Sequence, residues 1–202
     1  MTIFYLVRHG VTSHTGNRLS GRMPDIHLSD AGRAEAEVAA TSLAKVRLKS
    51  IYSSPIDRCV ETAKAIANEH SLPIRTRKDL AEVEYGTWTN KSLKTVARTK
   101  LWSSVQKWPA GTRFPEGESF VEIQSRGVAV LEDLRIRHPK DRICVVSHGD
   151  VIRLVMAHYM GIHLDLFQRI LITPASISVL SVTDSGPLVL TLNAPPGSPL
   201  GG

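Results

Sequence analysis

Two cysteines in 202 residues, Cys59 and Cys144, are too few for a disulfide scaffold, and neither has metal-ligand spacing. Both fall inside apolar patterns, one helical and one strand-like, where a thiol behaves as a small buried hydrophobe and a reduced, cytoplasmic setting suits it. Aromatic residues make up only 5% of the chain and no long Lys/Arg block occurs. The net charge of +6 therefore suits a small anionic substrate better than a nucleic acid, which needs rings to stack its bases. Long apolar runs are missing too: the first, Ile3 to Val7, is far too short for a signal-peptide core or a membrane span. With no internal repeat and no linker, residues 1–193 are expected as one domain. The Pro/Gly-rich stretch 194–202 is expected as a disordered tail.

What the chain does contain is an alternation of strand-like and helix-like segments. Thr2 to Val7 is continuous and apolar, as in a strand buried on both faces of a parallel sheet. Gly16 to Leu28 is aperiodic and reads as a loop, after which Ser29 caps a helix with a weak apolar face. Ser50 to Ser53 is a short strand; Ser54 as cap and Pro55 at the first helical position predict the next helix, with Arg58 in its first turn. Leu72 to Thr76 reads as a strand, Glu82 to Trp88 as a loop, and Leu93 to Trp108 as one helix. Ser119 with Glu122 forms a capping box, Ile143 to Val146 is another buried strand, and a helix follows from about Val151 to Met160. Ser176 to Thr183 and Leu188 to Leu192 read as two final strands. Such alternation implies βαβ units and an α/β fold, a three-layer sandwich around a mainly parallel sheet.

The polar residues cluster where the apolar runs break. Arg8-His9-Gly10 ends the first run, and Ser53-Ser54-Pro55-Ile56-Asp57-Arg58, Glu82-Val83-Glu84-Tyr85-Gly86-Thr87-Trp88, Ser119 and Val146-Ser147-His148-Gly149 follow. The C-terminal ends of parallel strands are where open α/β sheets bind ligands. Taken in order, Arg-His-Gly, Ser-Ser-x-x-x-Arg-x-x-x-Thr-Ala, Glu-x-x-x-Gly-x-Trp and Ser-His-Gly resemble the histidine phosphatase superfamily, the phosphoglycerate-mutase-like enzymes, from about Ile3 to Arg153.

The resemblance implies phosphoryl transfer, and the residues supply its parts. His9 is the expected nucleophile, since a neutral imidazole can form a phosphohistidine. Arg8 and Arg58 are the expected phosphate clamp, with His148 a further donor to the phosphoryl oxygens. Gly10 and Gly149 are expected to let the backbone approach the anion, and Thr12 and Asn17 to add donors. The pattern departs after Gly10, with Val11 where relatives carry Glu, Thr15 where they carry Asn, and Asn17 two residues late. An extended segment would put Glu82 and Glu84 on the same side, and the residues leave the choice between them open. The resemblance assigns Glu82 as general acid and base, and Glu84 as a loop-ordering ion-pair partner.

No metal or other cofactor is expected, although a zinc hydrolase with His9 and His148 as ligands is an independent reading that two adjacent arginines oppose. A phosphoglycerate mutase and a catalytically idle phospho-ligand binding module also fit the same residues. In the resemblance, mutases carry a longer insertion than Gly86 to Pro115 offers, which favours hydrolysis of a small phosphorylated metabolite. No nucleic-acid or membrane partner is expected, and homo-oligomer formation is open.

Overall fold

The structure, a computed structural model, describes residues 1–200; the expected tail's last two residues, Gly201 and Gly202, lie outside the described residues. Six strands form one sheet: β1 (Thr2–Arg8), β2 (Ser50–Ser53), β3 (Ile74–Thr76), β4 (Arg142–Ser147), β5 (Ile177–Thr183) and β6 (Gly186–Ala194), in the order β3-β2-β4-β1-β5-β6. The first four run parallel, and β5 and β6 add two antiparallel strands at one side. Side chains alternate across each strand. Phe4 and Leu6 therefore face one apolar layer while Ile3, Tyr5 and Val7 face the other.

Helices α1 (Asp30–Leu43) and α2 (Asp57–His70) cover the second face, burying Ala36, Ala39, Leu43, Ala63 and Ile66. The opposite face is covered by the helices starting at Phe120 and Gly149, through Ile123, Val130, Leu134, Ile152 and Leu154. The fold is the expected α/β sandwich with a mainly parallel sheet. Ser29 accepts from Gly32 N to cap α1, and the Ser119/Glu122 capping box is present.

Two local expectations are corrected. Ser54 and Pro55 do not start α2; it begins at Asp57 with Ile56 as N-cap, and the Ser54 hydroxyl both accepts from Ile56 N at 3.3 Å and bonds His148 Nε2 at 2.8 Å. The single helix expected over Leu93 to Trp108 divides into α3 (Leu93–Val96) and α4 (Lys100–Lys107), leaving Trp108 exposed. At the end of the chain, where it is described, β6 runs to Ala194, Gly197 N donates to Ser42 Oγ on α1 at 2.8 Å, and Leu200 packs on the core. The last two long helices are α5 (Phe120–Arg137) and α6 (Gly149–Tyr159).

Candidate active site

Arg8 and Ser147 sit opposite each other at the ends of the parallel neighbours β1 and β4, so His9 and His148 leave the sheet side by side. Their rings meet edge to face, with centroids 5.3 Å apart. Arg58 reaches them from the first turn of α2. Its Nε donates to His9 Nε2 at 3.3 Å, its Nη2 donates to the Gly21 carbonyl at 2.8 Å, and it is 1% exposed. Arg8 Nη1 donates to the Ile172 carbonyl at 2.7 Å.

After these bonds, Arg8 Nε and Arg58 Nη1 stay buried with no partner among the described residues. Burying an unpaired donor costs about 1–3 kcal/mol, and more when it is charged. Two such donors on residues lining one cavity of about 140 Å³ make a site for an anion with several acceptor oxygens. The same cavity is lined by His9, Thr12, His14, Thr15, Glu82, Tyr85, Gly149 and Asp150.

The histidine chemistry follows from the contacts. His9 Nδ1 lies 2.8 Å from the Gly10 carbonyl, which can only accept, so Nδ1 carries the proton and Nε2 keeps its lone pair. Burial, then the charges of Arg58 and Arg8, pull the His9 pKa from 6.5 to about 3, so the ring is neutral. His148 is likewise held well below the usual histidine range by burial and by Arg58.

Glu82 Oε2 stands 3.5 Å from His148 Nδ1. Burial and the nearby Asp150 raise its pKa to about 7, against the pull of Arg58. Its segment is held by Arg126, whose guanidinium donates to the carbonyls of Asp79, Ala81 and Glu82 and to the Glu118 carboxylate. Glu84 is outside the cavity: its side chain is 40% exposed and pairs with Arg22 at 3.5 Å.

Two expected substrate contacts are not in the cavity. Asn17 is exposed, and its carbonyl accepts from Leu93 N. The nearer hydroxyl is Thr15, which accepts from Thr12 N at 2.9 Å and lines the wall. Gly10 serves packing instead of the anion: a Cβ there would stand 2.4 Å from the Gly32 carbonyl oxygen, and its N–H is donated to Thr62. Gly149 does line the cavity, where a Cβ would come within 3.1 Å of Arg8 Nε.

Sequence reasoning missed Ser54, Tyr85 and Asp150. Ser54 bonds His148 Nε2 but looked like a helix cap. Tyr85 donates to Asp150 Oδ2 at 3.2 Å, and the position of Asp150, directly after His148-Gly149, was the available signal.

Ligand atoms of His9, Glu82 and His148 all lie within 4.8 Å of one another, close enough to hold a metal. The free lone pair of His9 is, however, already met by the Arg58 Nε–H, and a divalent cation would enter beside two fixed guanidinium charges. The donor set fits an anion better. A second group, Asp25, His27 and Asp57, lies toward the surface, with Asp57 accepting from Asp25 N and His27 paired to Glu61.

Residues 4–195 match the model of the histidine phosphatase superfamily, branch 1. The chain belongs to this superfamily, and is on that membership an enzyme of the phosphatase class. It is 29% identical over 197 residues to phosphoserine phosphatase 1 of Hydrogenobacter thermophilus, covering 96% of this chain and 92% of that one. It is 27% identical over 183 residues to a probable phosphoglycerate mutase GpmB of Yersinia pestis, covering 90% and 85%. Among solved structures, Bacillus stearothermophilus YhfR superposes with a TM-score of 0.87 at 25% identity, over 96% of this chain and 98% of that one. No helix among the described residues is long and apolar enough to cross a membrane.

Proposed function

We propose that the protein hydrolyses small phosphomonoesters through a phosphohistidine on His9, without a metal. The observation that carries this reading is a neutral His9 with its proton on Nδ1, set beside two buried arginines that keep unpartnered donors. In the first step His9 Nε2 attacks phosphorus, the P–O bond to the alcohol breaks, and Glu82 gives its proton to the departing oxygen. In the second, water loses a proton to Glu82 and attacks phosphorus; the P–N bond breaks and His9 returns with its proton still on Nδ1. A Glu82 pKa of about 7 suits both directions of transfer. As the phosphoryl group arrives, Arg58 exchanges its bond to Nε2 for one to a phosphoryl oxygen, and Arg8 and His148 take others.

Transfer to a second metabolite, as in a mutase, requires the phosphohistidine to be kept from water. The segment from Gly86 to Pro115 holds only 3₁₀ turns, α3 and α4, which supports hydrolysis.

The test is turnover of p-nitrophenyl phosphate in excess EDTA, with vanadate added as a five-coordinate mimic. Turnover should persist under chelation and fall with vanadate. Loss of activity restored by zinc would support the metal reading, and phosphate binding with no turnover would support the binding module. Arg58→Ala and His148→Ala should each lower kcat/KM by about a hundredfold or more, the usual loss for one preorganised charge-stabilising donor. Arg58→Lys should recover little, because an ammonium lacks the fork that serves imidazole, carbonyl and phosphate together.

A further inference from the structure

Three Trp, four Tyr and four Phe make eleven aromatic side chains in a chain poor in them. Six of the eleven, Tyr85, Trp88, Trp102, Phe114, Phe120 and Phe167, line a single cavity of about 310 Å³. They form a continuous wall: Trp88 lies 6.4 Å from Trp102 and 5.7 Å from Phe114, Phe114 lies 5.2 Å from Phe120, and Phe120 lies 5.1 Å from Phe167, between ring centroids. Five of the six are also core residues, 1–6% exposed and packed ring against ring. These stand around a space about twice the roughly 150 Å³ that accepts benzene in an engineered apolar cavity.

The chamber adjoins the phosphate cavity. Leu19, Tyr85, Leu93, Asp150 and Arg153 line both. Glu82, which would face the leaving oxygen in the proposed reaction, lines the phosphate cavity together with Tyr85, and Tyr85 lines the aromatic space as well. The seam carries no spare charge. Arg153, the one cation lining the chamber, donates to Asp150 Oδ1 at 3.1 Å, while Tyr85 donates to Oδ2 at 3.2 Å. The chamber's one cation is thus balanced by Asp150, so the chamber itself offers a carboxylate no net positive charge. Arg153 Nε, buried and without a partner among the described residues, is left as a donor for a substrate oxygen.

We propose that this chamber seats the alcohol part of the substrate, and that this alcohol is an uncharged, ring-bearing group of aryl or arylalkyl size. The inference rests on the phosphatase reading above and names its substrate class. Small esters with a second negative charge, phosphoserine or 3-phosphoglycerate, are then poor ligands.

Non-hydrolysable phosphonates test the chamber independently of turnover. Affinities of 3-phenylpropylphosphonate, methylphosphonate and 2-amino-3-phosphonopropionate are measured by calorimetry and by tryptophan fluorescence, since two of the three tryptophans line the chamber. The phenylpropyl compound should bind about fiftyfold more tightly than methylphosphonate, as expected for burying roughly 100 Å² of ring and chain, and the carboxylate compound no more tightly than methylphosphonate. Trp102→Ala, which removes part of the wall, and Leu93→Trp, which fills the space, should each cut the phenylpropyl-to-methyl ratio at least about fivefold. Equal affinities, tighter binding of the carboxylate compound, or an unchanged ratio in both variants would overturn the chamber. Turnover of p-nitrophenyl phosphate reads the phosphatase assignment separately. A phenylpropyl preference without turnover supports the chamber and removes the hydrolase, whereas turnover without the preference does the reverse.

Discussion

His9→Ala should abolish turnover and, with it, the covalent label. A brief reaction of the native protein with ³²P-labelled substrate should leave phosphate attached in an acid-labile, base-stable form, because a P–N bond breaks readily once its nitrogen side is protonated and resists hydroxide otherwise. In His9→Ala the label should vanish and kcat/KM should fall by about 10⁴-fold or more, the scale seen when a covalent nucleophile is removed from a preorganised site. His14→Ala provides the internal control. His14 lines the same cavity, but its Nδ1 is engaged with Ser20 Oγ at 3.1 Å, so its loss should leave the label in place. Near-normal turnover in His9→Ala would end the covalent mechanism outright. Label surviving in His9→Ala and lost in His14→Ala would move the nucleophile.

The proposed nucleophile, His9, would stay neutral across a wide pH range because its surroundings disfavour the imidazolium. The ring is buried between two guanidiniums, so protonation would place a third positive charge in a dry site, and the pKa drops to about 3. The depressed value also bears on stability. A buried histidine kept neutral contributes stability fully present above its unfolded value near 6.5 and lost as pH falls toward 3, where the unfolded chain binds the proton and the folded one resists it. A dianion in the cavity would offset the same positive charges, so inorganic phosphate should stabilise the fold by mass action, read as a rise in Tm with phosphate concentration.

Strand ends were the legible part of the site. An apolar run that breaks into Arg8-His9-Gly10 or into Ser147-His148-Gly149 places its polar residues at the C-terminal sheet edge whatever the loops do, and the register Arg8 opposite Ser147 brings the two histidines together. Residues whose position depends on a loop were read less well. Asn17 lies in an aperiodic stretch where a shift of two residues turns a side chain from the cavity to solvent, and Thr15 takes the inner position. Ser54-Pro55 carries a local helix-start signal, yet α2 begins at Asp57, and the Ser54 hydroxyl also serves a buried imidazole at the end of the neighbouring strand, a partner no local pattern shows. Gly10 has a reason only the fold supplies, the close approach of the Gly32 carbonyl. The aromatic chamber was invisible for a related cause: its rings are spread from Tyr85 to Phe167 over several separate segments, each with one or two, and no local period joins them.

Glu82→Gln should divide substrates by their leaving groups. The amide keeps the shape but has no proton to give, so esters of aliphatic alcohols should slow by about 10³-fold, within the usual range for a lost general acid. p-Nitrophenyl phosphate should lose far less in the first step, because its phenolate departs with little protonation. The second step still needs a base to take the proton of water. With p-nitrophenyl phosphate the variant should therefore release a burst of nitrophenol equal to the enzyme present and then stall as the phosphohistidine. The pH profile has a fixed sign. With Glu82 near 7, proton donation to aliphatic alcohols is lost as pH rises through that value, and proton removal from water is lost as pH falls below it. Asp150→Asn removes one of the two causes that raise Glu82, so the alkaline limb should move to lower pH while burial keeps it above the free glutamate value of 4.5. Glu84→Gln, altering an exposed partner of Arg22, should affect both substrate types alike and mildly. A leaving-group dependence that followed Glu84 would place the acid two residues further along the loop, and the hydrogen bonds by which Arg126 holds the Glu82 segment would then have some purpose other than aiming the proton donor.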